Sequence, residues 1–105
     1  MDPFEIAWAA GFFDGEGTTS YSPATKATRI QISQKDPELL HRFREAVGVG
    51  VVKGPYKNGK GEVWQYRLSR RADVQVVIEA LWPHLGSAKR AQASRAHVAP
   101  LIEAA

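Results

Sequence analysis

The stretch AWAAGFFDGEG, residues 7–17, mixes small and bulky apolar residues and then ends in two acids, Asp14 and Glu16, each followed by a glycine. Just upstream, Asp2 can cap a helix, Pro3 fits a first helical position, and Glu5 stands three residues after the cap. A helix is therefore expected from Pro3 to about Asp14, broken by Gly15 and Gly17. Ala7, Ala10 and Gly11 fall at i, i+3 and i+4, a bare stripe along which another helix backbone can come close. That neighbour is either a second copy of the chain or the fourth helix of the same chain. Phe4, Trp8, Phe12 and Phe13 lie mostly elsewhere on the helix and are expected to fill the core.

Carboxylates at a helix C-terminus face the negative end of the macrodipole. A divalent cation would relieve that. Mg²⁺ takes carboxylate oxygens together with water and phosphate, and the bare glycine backbone offers the Gly15 carbonyl as a further oxygen. The same four residues also suit a plain exposed acidic turn.

Working outward, residues 18–33 read as a β-hairpin, with PATKA at its turn and TRIQIS alternating so that Ile30 and Ile32 share one face. Asp36-Pro37-Glu38 starts a second helix, carrying Leu39, Leu40, Phe43 and Val47 on one side and stopped by Gly48. A second hairpin covers about 49–69, turning at Asn58-Gly59, with Trp64, Tyr66 and Leu68 on one face of its return strand. A third helix, about 71–82, uses Val74, Val77, Ile78 and Leu81; Ser87 can cap a fourth, about 88–103. The order α-ββ-α-ββ-α-α predicts an α+β fold, a four-stranded antiparallel sheet with its helices on one face. The open face would then carry Thr18, Ser20, Ser22, Arg29, Gln31, Ser33, Lys53, Gln65 and Arg67, side chains able to bond base edges and phosphates. A sheet's solvent face is often polar in any case.

With 105 residues the chain has the size of one domain, and one that buries only about 60–65 % of its unfolded surface, so a partner subunit would help. No apolar run is long enough to cross a bilayer, and no membrane role is expected. The absence of cysteine excludes disulfides, thiolate metal sites and a cysteine nucleophile. His41, His84 and His97 have no metal-ligand spacing. The net charge is +3, but between Lys26 and Arg71 eleven Lys or Arg stand against four acids, a balance that suits an anionic partner.

The segment AAGFFDGEG, residues 9–17, resembles the LAGLIDADG motif, with Gly11, Asp14 and Gly17 identical and Ala10 in its matching place. Gly15 and Glu16 are common substitutions, and Glu16 takes the second acid position. ISQKDPELLHRFREAVGVGVV and PHLGSAKRAQ are similar to later segments of single-motif members, so the resemblance touches about 90 of the 105 residues, although only the nine-residue motif is specific. Ala9 replaces the leading leucine, and Glu16 carries a longer side chain than the family's aspartate. The fourth helix is followed closely by Ala105, where several members carry further helices that contact DNA.

The resemblance implies a homing endonuclease that cleaves double-stranded DNA at a pseudo-palindromic site as a homodimer, with no small-molecule substrate. It implies Mg²⁺, with Mn²⁺ as a substitute, held by Glu16 and the Gly15 carbonyl. Catalytic roles fall to Glu16, to Gln34 positioning solvent, and to Lys89 offsetting charge. Ala7, Ala10, Gly11 and Asp14 would form the dimer seam, Asp14 mainly satisfying backbone groups at the helix junction. The sheet residues named above would face the major groove, and Lys57 and Lys60 on the second hairpin would meet phosphates. A cytoplasmic, nucleoid-associated location is expected, with organellar origin open. LAGLIDADG-like regulators and RNA maturases that bind without cutting form a second class, and a small-ligand or protein-interaction domain a third.

Overall fold

The computed structural model describes residues 1–101. Its elements are α1 (Pro3–Glu16), β1 (Gly17–Ser22), β2 (Ala27–Gln34), α2 (Pro37–Val47), β3 (Val51–Asn58), β4 (Gly61–Leu68), α3 (Arg71–Leu81), a 3₁₀ turn (Trp82–His84) and α4 (Ser87–Arg95). The expected α+β order is present. All pairings are antiparallel and the strands lie in the order β1-β2-β4-β3, so each hairpin contributes one central strand.

The register explains the layering. Ile30 pairs with Leu68 and Ile32 with Tyr66, placing four large side chains on one face. Leu40, Phe43 and Val47 of α2 and Val74, Val77, Ile78 and Leu81 of α3 are buried against that face. Phe43 packs its ring edge against Tyr66 at 4.8 Å, and the Tyr66 hydroxyl donates to the Val49 carbonyl at 2.8 Å. Burial raises the phenol pKa well above its ordinary value.

Asp2 caps α1, accepting from the Phe4 and Glu5 amides, and Asp36 caps α2 through Glu38. Three boundaries differ from expectation. Gly15 stays helical, so α1 runs to Glu16 and ends on an extended Gly17. An added Cβ on Gly17 would meet the Phe13 ring at 2.2 Å, so a bare residue is required for the helix-to-strand step. Ser87 does not cap α4; it is the first helical residue and Gly86 precedes it. α4 also stops at Arg95 rather than near 103, since His97 turns left-handed at φ 64°; residues 102 and 103 lie outside the described residues.

α1 departs most from its expected faces. Ile6, Ala9, Ala10 and Phe13 are buried, and Ala10 is wholly inaccessible. Ala10 therefore belongs to the core of its own chain; the helices that α1 chiefly meets are α2 and α3, not α4. Phe4, expected inside, is 85 % exposed. Trp8 and Phe12 are half-buried and stack at 5.2 Å, and Arg42 lies 3.9 Å over the Trp8 ring while it pairs with Glu5 at 2.8 Å. The outward seam of α1 is thus Phe4, Ala7, Gly11 and Asp14, spaced three to four residues apart. Apolar residues ring this helix, so one covered side leaves an apolar side in solvent.

Candidate nucleic-acid interface

The face of the sheet turned away from the helices follows from strand alternation. β1 contributes Thr18, Ser20 and Ser22; β2 contributes Arg29, Gln31 and Ser33, with Thr18 opposite Gln31 and Ser20 opposite Arg29. β4 contributes Gln65 and Arg67, opposite Ser33 and Gln31. β3 contributes Lys53, opposite Gln65. All the sheet residues expected from the sequence share this face.

The face holds more. Val51 stands opposite Arg67, and a one-residue bulge between Lys53 and Tyr56 puts Tyr56 opposite Val63, on the same side. A bulged strand bends and re-aims the residues beyond it. Gly54-Pro55 inside a strand was the available signal. The bulge also sends Lys57 to the parity of Glu62, its cross-strand partner, away from the base-facing row. Lys57 and Lys60 are exposed at the hairpin end, where phosphate contact remains open to them. The turn itself is Gly59-Lys60, one residue later than expected, and the Asn58 side chain accepts the Lys60 amide at 2.9 Å. No acid stands among these sheet residues, whereas Arg29, Lys53 and Arg67 do, so the face attracts anions.

Glu16 closes one end of the face. It is exposed, and with Thr18, Ser20, Gln31 and Ser33 it lines a shallow concavity. The next residue, Gly17, offers its carbonyl to the Lys89 ammonium at 2.6 Å. Gln34 is two residues beyond Ile32, the cross-strand partner of Gly17. Lys89 thus reaches the residue that follows Glu16, and Gln34 follows Ser33 at the end of β2, near where α1 passes into β1. Gln34 makes no side-chain hydrogen bond among the described residues and does not cap α2. Asp14 accepts the Gly86 amide at 2.8 Å, as expected of a residue that satisfies backbone.

α4 runs along the outer edge of β1. One helical turn beyond Lys89, the Gln92 side chain accepts the Thr19 amide at 3.2 Å. Thr19 would have been the i+4 donor to the Gly15 carbonyl, so that carbonyl lacks its helical partner, as helix ends generally do. A carboxylate and a main-chain carbonyl are hard oxygen donors of the kind Mg²⁺ accepts alongside water and phosphate, so the donors at this corner fit that ion. Among the described residues no cluster of three His, Cys, Asp or Glu stands together.

The chain resembles several solved structures. It aligns with the homing endonuclease I-CvuI, in complex with the I-CreI target, at 24 % identity and a TM-score of 0.68, covering 87 % of this chain and 62 % of that one. With the LAGLIDADG meganuclease I-AabMI bound to uncleaved DNA, the values are 27 % and 0.69, covering 92 % of this chain and 35 % of that one. With the homing endonuclease I-TnaI they are 24 % and 0.69, covering 92 % and 69 %. The chain thus spans about three fifths of I-CvuI and a third of I-AabMI. No curated protein sequence matches significantly. The profile of the LAGLIDADG-like domain matches residues 3–81, and the chain belongs to that family.

Proposed function

We propose that this chain is a site-specific endonuclease for double-stranded DNA that works as a homodimer on a pseudo-palindromic site. One observation carries the reading: the outward seam of α1 leads directly into Glu16 at the corner of a basic, acid-free sheet face. Two copies packed along Phe4, Ala7 and Gly11 by a two-fold axis would bring both Glu16 carboxylates together between two such sheets. Each sheet would then lie in the major groove on one side of the centre, a groove that admits β-ribbons and displays the distinguishing pattern of base edges. I-CvuI, I-CpaMI and I-AabMI were each solved with DNA, which supports DNA as the partner.

In the reaction Glu16 and the Gly15 carbonyl would hold Mg²⁺ beside the scissile phosphate. That ion, when bound, would supply charge neutralisation and an activated water. I-CvuI was studied with Mg²⁺ and with Ca²⁺, in keeping with a divalent ion in this fold. Mn²⁺ is the natural substitute. Gln34, with its amide free, would orient solvent. Lys89, spending one proton on Gly17, keeps two donors for the charge that develops on the phosphate. Lys57 and Lys60 would grip backbone phosphates, so affinity should fall steeply with salt.

The test is Mg²⁺-dependent nicking of a randomised DNA pool by the chain and by Glu16→Gln. The expected result is binding by both and cleavage by the wild type alone, with activity down at least about a hundredfold in the variant, as when a transition-state contact is removed. Undiminished cleavage by the variant removes Glu16 from the mechanism. Binding without cleavage by the wild type, in Mg²⁺ or Mn²⁺, makes the protein a regulator or maturase instead.

A further inference from the structure

The exposed sheet face contains one side-chain relay. The Gln65 amide oxygen accepts from Arg67 Nε at 2.9 Å and also from Arg67 Nη2. The Gln65 amide nitrogen donates to Ser33 Oγ at 3.4 Å. The Tyr56 ring lies 5.3 Å from the guanidinium carbon of Arg67. Val51, 49 % exposed, stands directly opposite Arg67 on β3. Arg67 is thus held along one edge by an amide, over one side by an aromatic ring, and beside a branched apolar residue.

A guanidinium has five N–H donors in a rigid fork. Gln65 engages the edge formed by Nε and Nη2. The opposite edge, formed by Nη1 and the second Nη2 proton, is left paired and unspent. Two parallel donors match the O6 and N7 acceptors of guanine in the major groove, and no other base presents that pair. Gln65, in turn, has committed its oxygen and one amide proton. A bidentate contact with adenine needs the oxygen as acceptor and an amide proton as donor, and the oxygen already accepts twice from Arg67.

We propose that Arg67 reads one guanine in each half-site and that Gln65 is its positioning residue rather than a base reader. The inference rests on the DNA-facing reading of the sheet. It assigns the two residues unequal roles, although strand alternation makes them equivalent. Holding the fork in advance spares the ordering of a long side chain on binding, so Gln65 sharpens the preference without touching a base.

The test is selection of bound sequences from a randomised duplex library without Mg²⁺, for the wild type, Arg67→Lys, Gln65→Ala and Gln65→Glu, with thermal unfolding to show that each is folded. The wild type should show a guanine column preferred about 5- to 150-fold over other bases. Arg67→Lys, keeping the charge without the fork, should flatten that column while retaining most of the affinity. Gln65→Ala should weaken the same column and create no loss elsewhere. Gln65→Glu, whose carboxylate still accepts the Nε/Nη2 edge, should restore it. An unchanged column in Arg67→Lys, or a separate column lost in Gln65→Ala, overturns the assignment while leaving DNA recognition standing. A wild type that enriches no sequence overturns both.

Discussion

Replacing Gly11 by leucine should raise the stability of the isolated subunit and destroy the proposed dimer. Gly11 lies in the middle of α1 on its outward seam, and a Cβ built there meets nothing within 4 Å. The exposed position therefore has room for a side chain to start outward from the helix. The substitution removes a glycine from a helix interior, a gain of up to about 1 kcal/mol from propensity alone. In a domain of this size that raises Tm by roughly 4–8 °C. Between two copies the effect reverses. Helices with ordinary side chains pack with axes about 8–10 Å apart, and a small-residue seam permits the near end of that range. Near a two-fold axis the new leucine enters twice. With about 1–3 kcal/mol for each overpacked side chain, the dimer loses roughly 2–6 kcal/mol, a dissociation constant some 30- to 10⁴-fold weaker. Sedimentation equilibrium across a concentration series, with melts at each concentration, reads both terms. The variant should melt higher than the wild type where both are monomeric and lower where the wild type is dimeric. A wild type monomeric at hundreds of micromolar, or a leucine variant that dimerises as tightly, refutes the reasoning.

Two other outcomes follow from the α1–β1 corner. Lys89→Met should lower stability by about 1–3 kcal/mol, because a charged donor is withdrawn from the Gly17 carbonyl on the sheet edge; chemical denaturation reads this even if cleavage is also lost. Gly17→Ala should lose about 1–3 kcal/mol or more, since the methyl group must displace the buried Phe13 ring; a neutral result by thermal unfolding would mean that the helix-to-strand step adjusts freely.

Much of this was legible in the sequence because local signals were strong. Asp2, Asp36 and Gly48 fix helix ends through their own side chains or backbone freedom. The alternation of Ile30 and Ile32 with Arg29, Gln31 and Ser33 fixes the faces of β2. What escaped depends on contacts distant in sequence. Ala7 and Ala10 look alike in a helix apolar all round, and only the packing of α1 against the rest of the fold separates the exposed one from the buried one. The order β1-β2-β4-β3 comes from pairing between two hairpins, for which no turn residue speaks. Tyr56 reached the sheet face through a bulge, and α4 ended just before a histidine in a left-handed conformation, where no glycine marks the stop. At the candidate site Glu16 was legible as an acid at a helix C-terminus, whereas Gln34 and Lys89 came from family resemblance. The relay of Ser33, Gln65, Arg67 and Tyr56 could be seen only once cross-strand neighbours were known.

The placement of α4 against β1 bears on how this small basic protein behaves when crowded. An outermost strand with free amides and carbonyls is a template on which foreign strands can grow. Along β1 the Gly17 carbonyl and the Thr19 amide are already occupied by Lys89 and Gln92. The other margin, β3, is interrupted by Pro55, which has no amide hydrogen, and carries Lys53 and Lys57. Both borders therefore resist the stacking that leads to fibrils. Concentrated solutions should stay clear, and loss of the Gln92 side chain should be the change that makes them gel.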